Sequence, residues 1–366
     1  MATLQKIGER ISQSKWTKLY IALALLQGVM IIALQSAIAS QNTAQASNIA
    51  LITSPSYSHS INDHTMDAND GIQAALSRLN RIKWENIAFI GFQVWFVGMA
   101  FDATIYQNAA EIIVLAILNG ICAILGGLQV MDGQRWLDRL DRLNTDYDLT
   151  IDLTPLQTAF YIEIVLTVVI ILYALVFAYV SYLVVKEFGW VIYKKIGPDV
   201  VVQRMYRIFQ FFVLTLKIDI FIEFLVSCFY LVQFAVDDGF HWDGYIQLVV
   251  TILILPALYY GRMTAGGEHH GRMLLFIIFQ FVVVFSLILM LWRTMFPQNE
   301  WYTWIAFVIM GIVFALATAI LGAWTMSNFG KGLEPYVRRG GQKKEQMSRH
   351  ELREQRSVSS WRIDDD

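Results

Sequence analysis

Charge is scarce in this chain. Of 366 residues only 16% are Asp, Glu, Lys or Arg, while 56% are apolar. A typical soluble protein carries roughly 25% charged residues, and a soluble chain this long normally folds as two domains under a polar coat. Neither fits here. Cysteine is almost absent: Cys122 and Cys228 both lie inside apolar runs, where small packing residues are expected and a disulfide scaffold or metal site is not. No Asn-x-Ser/Thr acceptor occurs, so N-glycosylation marks no face of the chain. Strict period-2 alternation is also missing, which removes a membrane β-barrel and leaves helices as the spanning form. A net charge of -2 argues against a nucleic-acid partner.

What is present is a series of long apolar runs separated by short polar blocks, as a lipid bilayer organises a sequence. Eight runs are long enough to cross: 19–39, 87–105, 109–130, 160–184, 209–235, 245–260, 273–291 and 304–324. Many Trp and Tyr fall at their ends, in the manner of interfacial belts. The expected fold is therefore all-α, a polytopic transmembrane bundle of about eight spans over 19–325. It is flanked by a cytosolic segment over 1–18 and a disordered cytosolic tail over 326–366, the latter polar and poor in apolar residues. Three basic blocks fall on one side of eight spans: Lys6 to Lys18, Lys186 to Arg207, and Lys331 to Lys344. The positive-inside rule puts that side, and both termini, in the cytosol. A rival reading takes Ala37-Ile38-Ala39 as a signal cleavage site and leaves a seven-span receptor, although Asp-Arg-Tyr-like and Asn-Pro-x-x-Tyr-like steps are missing.

Outside the spans, 40–85 reads as a flexible polar loop holding His59, Asp63, His64 and Asp67. Residues 131–154 read as a short helix on the membrane surface, with Trp136, Leu137, Leu140 and Leu143 on one face. The aspartates there (Asp132, Asp138, Asp141, Asp146 and Asp148) complete no magnesium or phosphotransferase motif, and no cofactor is implied. The 186–207 loop interleaves aromatic and basic residues around Gly197-Pro198 and suits anionic lipid heads. Small-residue stripes at Ala116, Gly120, Ala123 and Gly127, and at Gly311, Ala315, Ala319 and Gly322, favour close helix packing, within the chain or in self-association.

The fifth span is the unusual one. Thr215, Asp219, Glu223, Ser227 and Tyr230 step by 4, 4, 4 and 3 and so form one polar stripe. Lys217 lies about 200° round the helix from that stripe, near enough to the cytosolic end to snorkel. Charges at such depth cost a few kcal/mol each and are functional candidates by default. In one reading the stripe lines a hydrated path, and Asp219 or Glu223 carries a proton or binds a cation, as in a secondary transporter. In the other it faces neighbouring helices and is neutralised by protonation or hydrogen bonds, with Glu163 and Thr167 of the fourth span as partners. Asp102 and Glu111 are expected at the interface.

The stretch Phe188-Gly189-Trp190-Val191-Ile192-Tyr193-Lys194-Lys195-Ile196-Gly197, with Arg204-Met205-Tyr206, Leu216-Lys217-Ile218-Asp219 and Asn328-Phe329-Gly330-Lys331-Gly332, resembles an uncharacterised family of fungal Golgi-apparatus multi-pass membrane proteins. The resemblance implies a Golgi membrane location and brings no activity, substrate or catalytic residue. The expected protein is an integral Golgi membrane protein without enzymatic function. An ion-coupled carrier is the first alternative and a seven-span receptor the second.

Overall fold

Seven of the eight apolar runs each lie within one helix, and the fifth, 209–235, begins in a helix whose described part ends at Tyr230. The computed structural model describes residues 14–52, 66–147, 151–196, 200–231, 242–295 and 302–331. In these lie α1 (Lys15–Ile52), α2 (Met66–Ile105), α3 (Ala109–Asp146), α4 (Thr154–Ile196), α5 (Val200–Tyr230), α6 (Trp242–Gly266), α7 (His270–Met295) and α8 (Tyr302–Ser327). No strand occurs among the described residues. All these helices except α5 are long and apolar enough to cross a membrane. The chain is a polytopic helical bundle.

The helices group by contact into two halves. In the first, α1 packs on α2 and α4, and α3 on α4; in the second, α5 packs on α8 and α6, and α7 on α8 and α6. Apolar side chains that face no protein lie on the outer helices. On α4 these are Ile164, Val168, Leu172 and Leu175, between Tyr161 and Tyr179; on α7 they include Leu274, Ile278, Phe281 and Phe285. Such stripes are the surfaces that lipid covers. Helix α5 has almost none: from Ile208 to Tyr230 only Ile220 is exposed. Three of its charges, Lys217, Asp219 and Glu223, lower its apolar content, and protein encloses them.

The helices of the first half are longer than the apolar runs. α1 to α4 have 38, 40, 38 and 43 residues. Forty residues make a helix of about 60 Å, twice the roughly 30 Å hydrocarbon core. Two expectations change accordingly. The 40–85 segment is largely helical, as the ends of α1 and α2, and only 53–65, with His59, Asp63 and His64, lie outside the described residues. The 131–154 segment is not a separate surface helix but the continuation of α3. The reason lies in its apolar face. Leu140, with Trp136, Leu137 and Leu143, packs on Ile49 of α1, Ile72, Ala75 and Leu79 of α2, and Ile151, Leu153 and Leu156. Those partners supply a protein surface where lipid was expected. Gly71 permits the approach, since a Cβ there would meet Leu143 at 2.9 Å.

Short devices set the connections. Asn108 caps α3 by accepting from the Ala110 N–H at 3.2 Å. Asn144 clasps Ile151 by accepting from its N–H at 3.0 Å and donating to its carbonyl at 3.3 Å. Asp152 accepts from the Thr154 N–H and hydroxyl, which holds its carboxyl below the usual aspartate range. At the other end of the molecule, Gly330 donates its N–H to Glu268 at 2.8 Å, and Phe329 packs edge-on against His270. The Asn328-Phe329-Gly330 motif thus folds the end of α8 onto the α6–α7 turn. The 186–207 stretch is the end of α4 and the start of α5, with Gly197 and Pro198 outside the described residues. The tail from 332 onward, like residues 1–13, is also outside them.

The seam between the halves is aromatic and ionic. Phe92 and Trp95 of α2 meet Phe221 of α5, with Trp95 stacked at 5.5 Å, and Phe89 meets Phe307 of α8 at 6.0 Å. A small apolar cleft lies along it, lined by Phe89, Phe92, Leu118, Cys122, Phe221 and Phe307 among others. Lys217 pairs with Asp102 of α2 and Glu111 of α3, and Glu111 is 2% exposed.

The small-residue stripes divide. On α8, Gly311 and Gly322 are packed; a Cβ on Gly322 would meet Met273 at 3.2 Å and Phe212 at 3.3 Å. On α3, Gly120 and Gly127 have nothing within 4 Å of an added Cβ, and the close contact is instead at Gly126, against Thr167 at 3.2 Å. A close approach to a ring also falls outside both stripes: a Cβ on Gly261 would lie 2.7 Å from the Phe276 ring.

Gly261→Ala should therefore destabilise the purified protein by about 1 to 3 kcal/mol, read as a lower thermal midpoint in detergent, whereas Gly120→Ala should leave the midpoint unchanged. Lys217→Met strands two acids in the seam and should cost about 3 kcal/mol or more. Adding Asp102→Asn and Glu111→Gln to it should restore most of the loss. A triple variant no more stable than Lys217→Met would show that charge pairing is not what Lys217 contributes.

Candidate functional site

The polar stripe of α5 forms as its spacing predicts, and it faces inward. Thr215, Asp219, Glu223 and Ser227 are 8%, 0%, 0% and 1% exposed. The apolar residues around and between the stripe positions, Phe212, Leu214, Leu216, Ile218, Ile222 and Val226, are all buried as well, so apolar packing locks the stripe in one orientation.

Its partners come from α7 and α8. Asp219 accepts a hydrogen bond on Oδ2 from the Thr318 hydroxyl of α8. Glu223 accepts on Oε1 from the Gln280 side-chain amide of α7. Thr215 turns back on its own helix and donates to the Phe212 carbonyl at 2.9 Å. Four buried oxygens on this face have no hydrogen-bond partner: Asp219 Oδ1, Glu223 Oε2, Ser227 Oγ and Gln280 Oε1. Farther along, the Ser286 hydroxyl of α7 donates to Gln247 of α6 at 2.7 Å, which extends the polar core to the next helix.

Of the residues singled out in the sequence, Asp219, Glu223, Thr215 and Ser227 share this face. Lys217 is on the other side of α5, in the seam. Glu163 and Thr167 are not partners of the stripe, because α4 packs on α1 and α3 rather than on α5. Thr167 donates to the Glu163 carbonyl at 2.9 Å, and the Glu163 carboxylate lies over Gly133 in the first half. Gln280 and Thr318 were missed, although their signal is present. Gln280 continues the buried row Met273, Phe276, Gln280, Val283 and Leu287 of α7, and Thr318 sits between Ala315 and Gly322 on the packed face of α8. A polar residue at a core position of an apolar helix points to a partner across the interface.

Other groups considered for chemistry are dispersed. Asp132 pairs with Arg78 at 2.8 Å, while Asp138, Asp141 and Asp146 are exposed along the outer side of α3, and Asp148 lies outside the described residues. Among the described residues no group of three or more His, Cys, Asp or Glu is placed to hold a metal ion. Cys122 and Cys228 are free thiols.

No family profile matches the chain, and no solved structure matches it. One curated protein does: over 164 residues the chain is 30% identical to a UPF0658 Golgi apparatus membrane protein of Schizosaccharomyces pombe, across 41% of this chain and 44% of that protein. The match thus spans less than half of that relative's length. It supports the resemblance to an uncharacterised family of fungal Golgi-apparatus membrane proteins.

Proposed function

We propose that the protein is a non-enzymatic Golgi membrane carrier that binds and moves a proton or small monovalent cation at Asp219 and Glu223. The observation behind this reading is the character of the stripe. Two fully buried carboxyls stand one turn apart on an enclosed helix, and each is held on one oxygen by a neutral donor. The four oxygens left over are all able to accept, and the neighbouring cation, Lys217, is committed to Asp102 and Glu111. A site of unpartnered oxygens takes a proton or a hard cation. The polar side chains opposite come from α7 and α8, so a shift of these helices against α5 would change the coordination, as alternating access requires.

The relative's description supports a Golgi location, and the charge blocks support the membrane arrangement. With eight spans, α5 crossing inside the bundle, the positive-inside rule favours a cytosolic side for both termini. The first-half overhang, where α1 meets α2, then faces the lumen.

In proteoliposomes carrying a pH-sensitive dye, the wild-type protein should collapse an imposed proton or sodium gradient. Asp219→Asn with Glu223→Gln should slow this by about tenfold or more, the consequence of losing at least 1.4 kcal/mol of ion binding, while the thermal midpoint stays or rises. Vesicles no leakier than protein-free controls, or a double variant with normal flux, would remove the carrier reading and leave the stripe a packing device. In sealed Golgi vesicles, external protease should remove tags at both ends of the chain; protection of either tag would break the eight-span arrangement.

A further inference from the structure

The first half contains a second polar region that the α5 site does not use. Along α1 the buried residues Ala24, Gln27, Ile31, Gln35, Ile38, Asn42, Gln45 and Ile49 recur at steps of three and four, so four carboxamides share one inward face. The inner two are paired. Gln27 and Asn119 exchange bonds of 2.9 and 3.0 Å, and Gln35 donates to Asn86 at 2.7 Å. The outer two, Asn42 and Gln45, are 3% and 0% exposed and have no partner on either side-chain polar atom.

These two belong to a layer enclosed between apolar clusters. One cluster joins Ile49, Leu79, Leu140 and Leu156; the other joins Ile38, Cys122, Leu166 and Ile170, with Phe92 against it. On each of the four helices the polar residues fall between the two clusters. They are Asn42 and Gln45 on α1, Glu85 and Asn86 on α2, Gln129 and Asp132 on α3, and Glu163 on α4. Charge within the layer is largely committed: Arg78 donates to Asp132 through Nε at 3.0 Å and Nη2 at 2.8 Å, and both lie within electrostatic reach of Glu85 and Glu163. Room for the Glu163 carboxylate is kept by Gly133, where a Cβ would stand 2.5 Å from Glu163 Oε2.

The unpartnered atoms define the ligand chemistry. Three are donors: Asn42 Nδ2, Gln45 Nε2 and Asn86 Nδ2. Two are acceptors, Asn42 Oδ1 and Gln45 Oε1, while Gln129 and Glu163 beside them bond to each other. The α5 stripe leaves only oxygens over, as a cation site does. A bare cation offers nothing to the N–H donors, and an anion nothing to the acceptors. A hydroxyl both donates and accepts. Unpartnered polar groups between apolar layers at the membrane cost several kcal/mol each unless something bonds them. We propose that this layer, enclosed by α1 to α4, is a binding site for an uncharged polyhydroxylated solute of the polyol or sugar class. Binding there is independent of cation movement at α5, and is measured without flux.

The test uses the full-length protein purified in detergent, with tritiated mannitol as probe and unlabelled glucose and glycerol as competitors. Binding should be saturable and displaced by glucose. Gln45→Leu and Asn42→Leu should each weaken it about tenfold while keeping a cooperative thermal transition. Permethylated mannitol, which retains acceptors but no donors, should fail to compete with the wild-type protein, an arm that needs no variant to fold. No saturable binding of these polyols, unchanged binding in both variants, or full competition by the permethylated compound would each overturn the proposal. The layer would then hold internal water alone.

Discussion

A bilayer supplies no hydrogen bonds, and the architecture follows from that constraint. Every polar side chain at membrane depth must find a partner inside the protein or be enclosed with something that bonds it. The chain answers by sorting its helices. α4 and α7 turn long apolar stripes outward, while α5, which carries Lys217, Asp219 and Glu223, is surrounded by protein along nearly its whole length. The enclosure makes the charges tolerable and also makes them specific, because each faces a different neighbour. Lys217 is drawn to α2 and α3, Asp219 to α8, and Glu223 to α7. One helix thereby ties together four others.

The two halves solve the same problem with different chemistry. The first is rich in carboxamides, which pair reciprocally, as Gln27 and Asn119 do, and leave both donors and acceptors where they do not. The second sets two carboxyls one turn apart on α5, and that stripe leaves only oxygens over. Between them the seam relies on rings and one ion cluster, with few helix-to-helix contacts by comparison with either interior. Strong interiors and a thin seam are the arrangement in which relative motion of the halves is cheapest.

Much of this was legible in the sequence, for identifiable reasons. Apolar runs near 20 residues locate membrane helices because the bilayer fixes their length, and the step of four from Thr215 to Ser227 fixes one helical face whatever surrounds it. What lay beyond was partner identity. Glu163 was a plausible neighbour for Asp219 only while helix adjacency was unknown; the fold sends it to Gly133 instead. Lys217 was read against water because its partners, Asp102 and Glu111, are more than a hundred residues away in sequence. The 40–85 segment was read as a loop from its Ser, Asn and Thr content. Yet the row from Ala24 through Gln35 to Ile49 keeps a helical step straight through Ala39 and Ser40. Polar composition obscured a periodicity that was there.

The overhang of the first half has a mechanical consequence. From Asp102, where α2 is tied to Lys217, back to Gly71, where α2 touches Leu143, the helix runs 31 residues, or about 47 Å at 1.5 Å per residue. A stiff rod of that length, fixed near one end by a small ionic joint, is a lever. Tilting it by about 5° moves the far end by about 4 Å, more than the width of a water molecule. A rotation of α2 about the Lys217 joint would thus be felt most at the distal apolar cluster around Ile49 and Leu140.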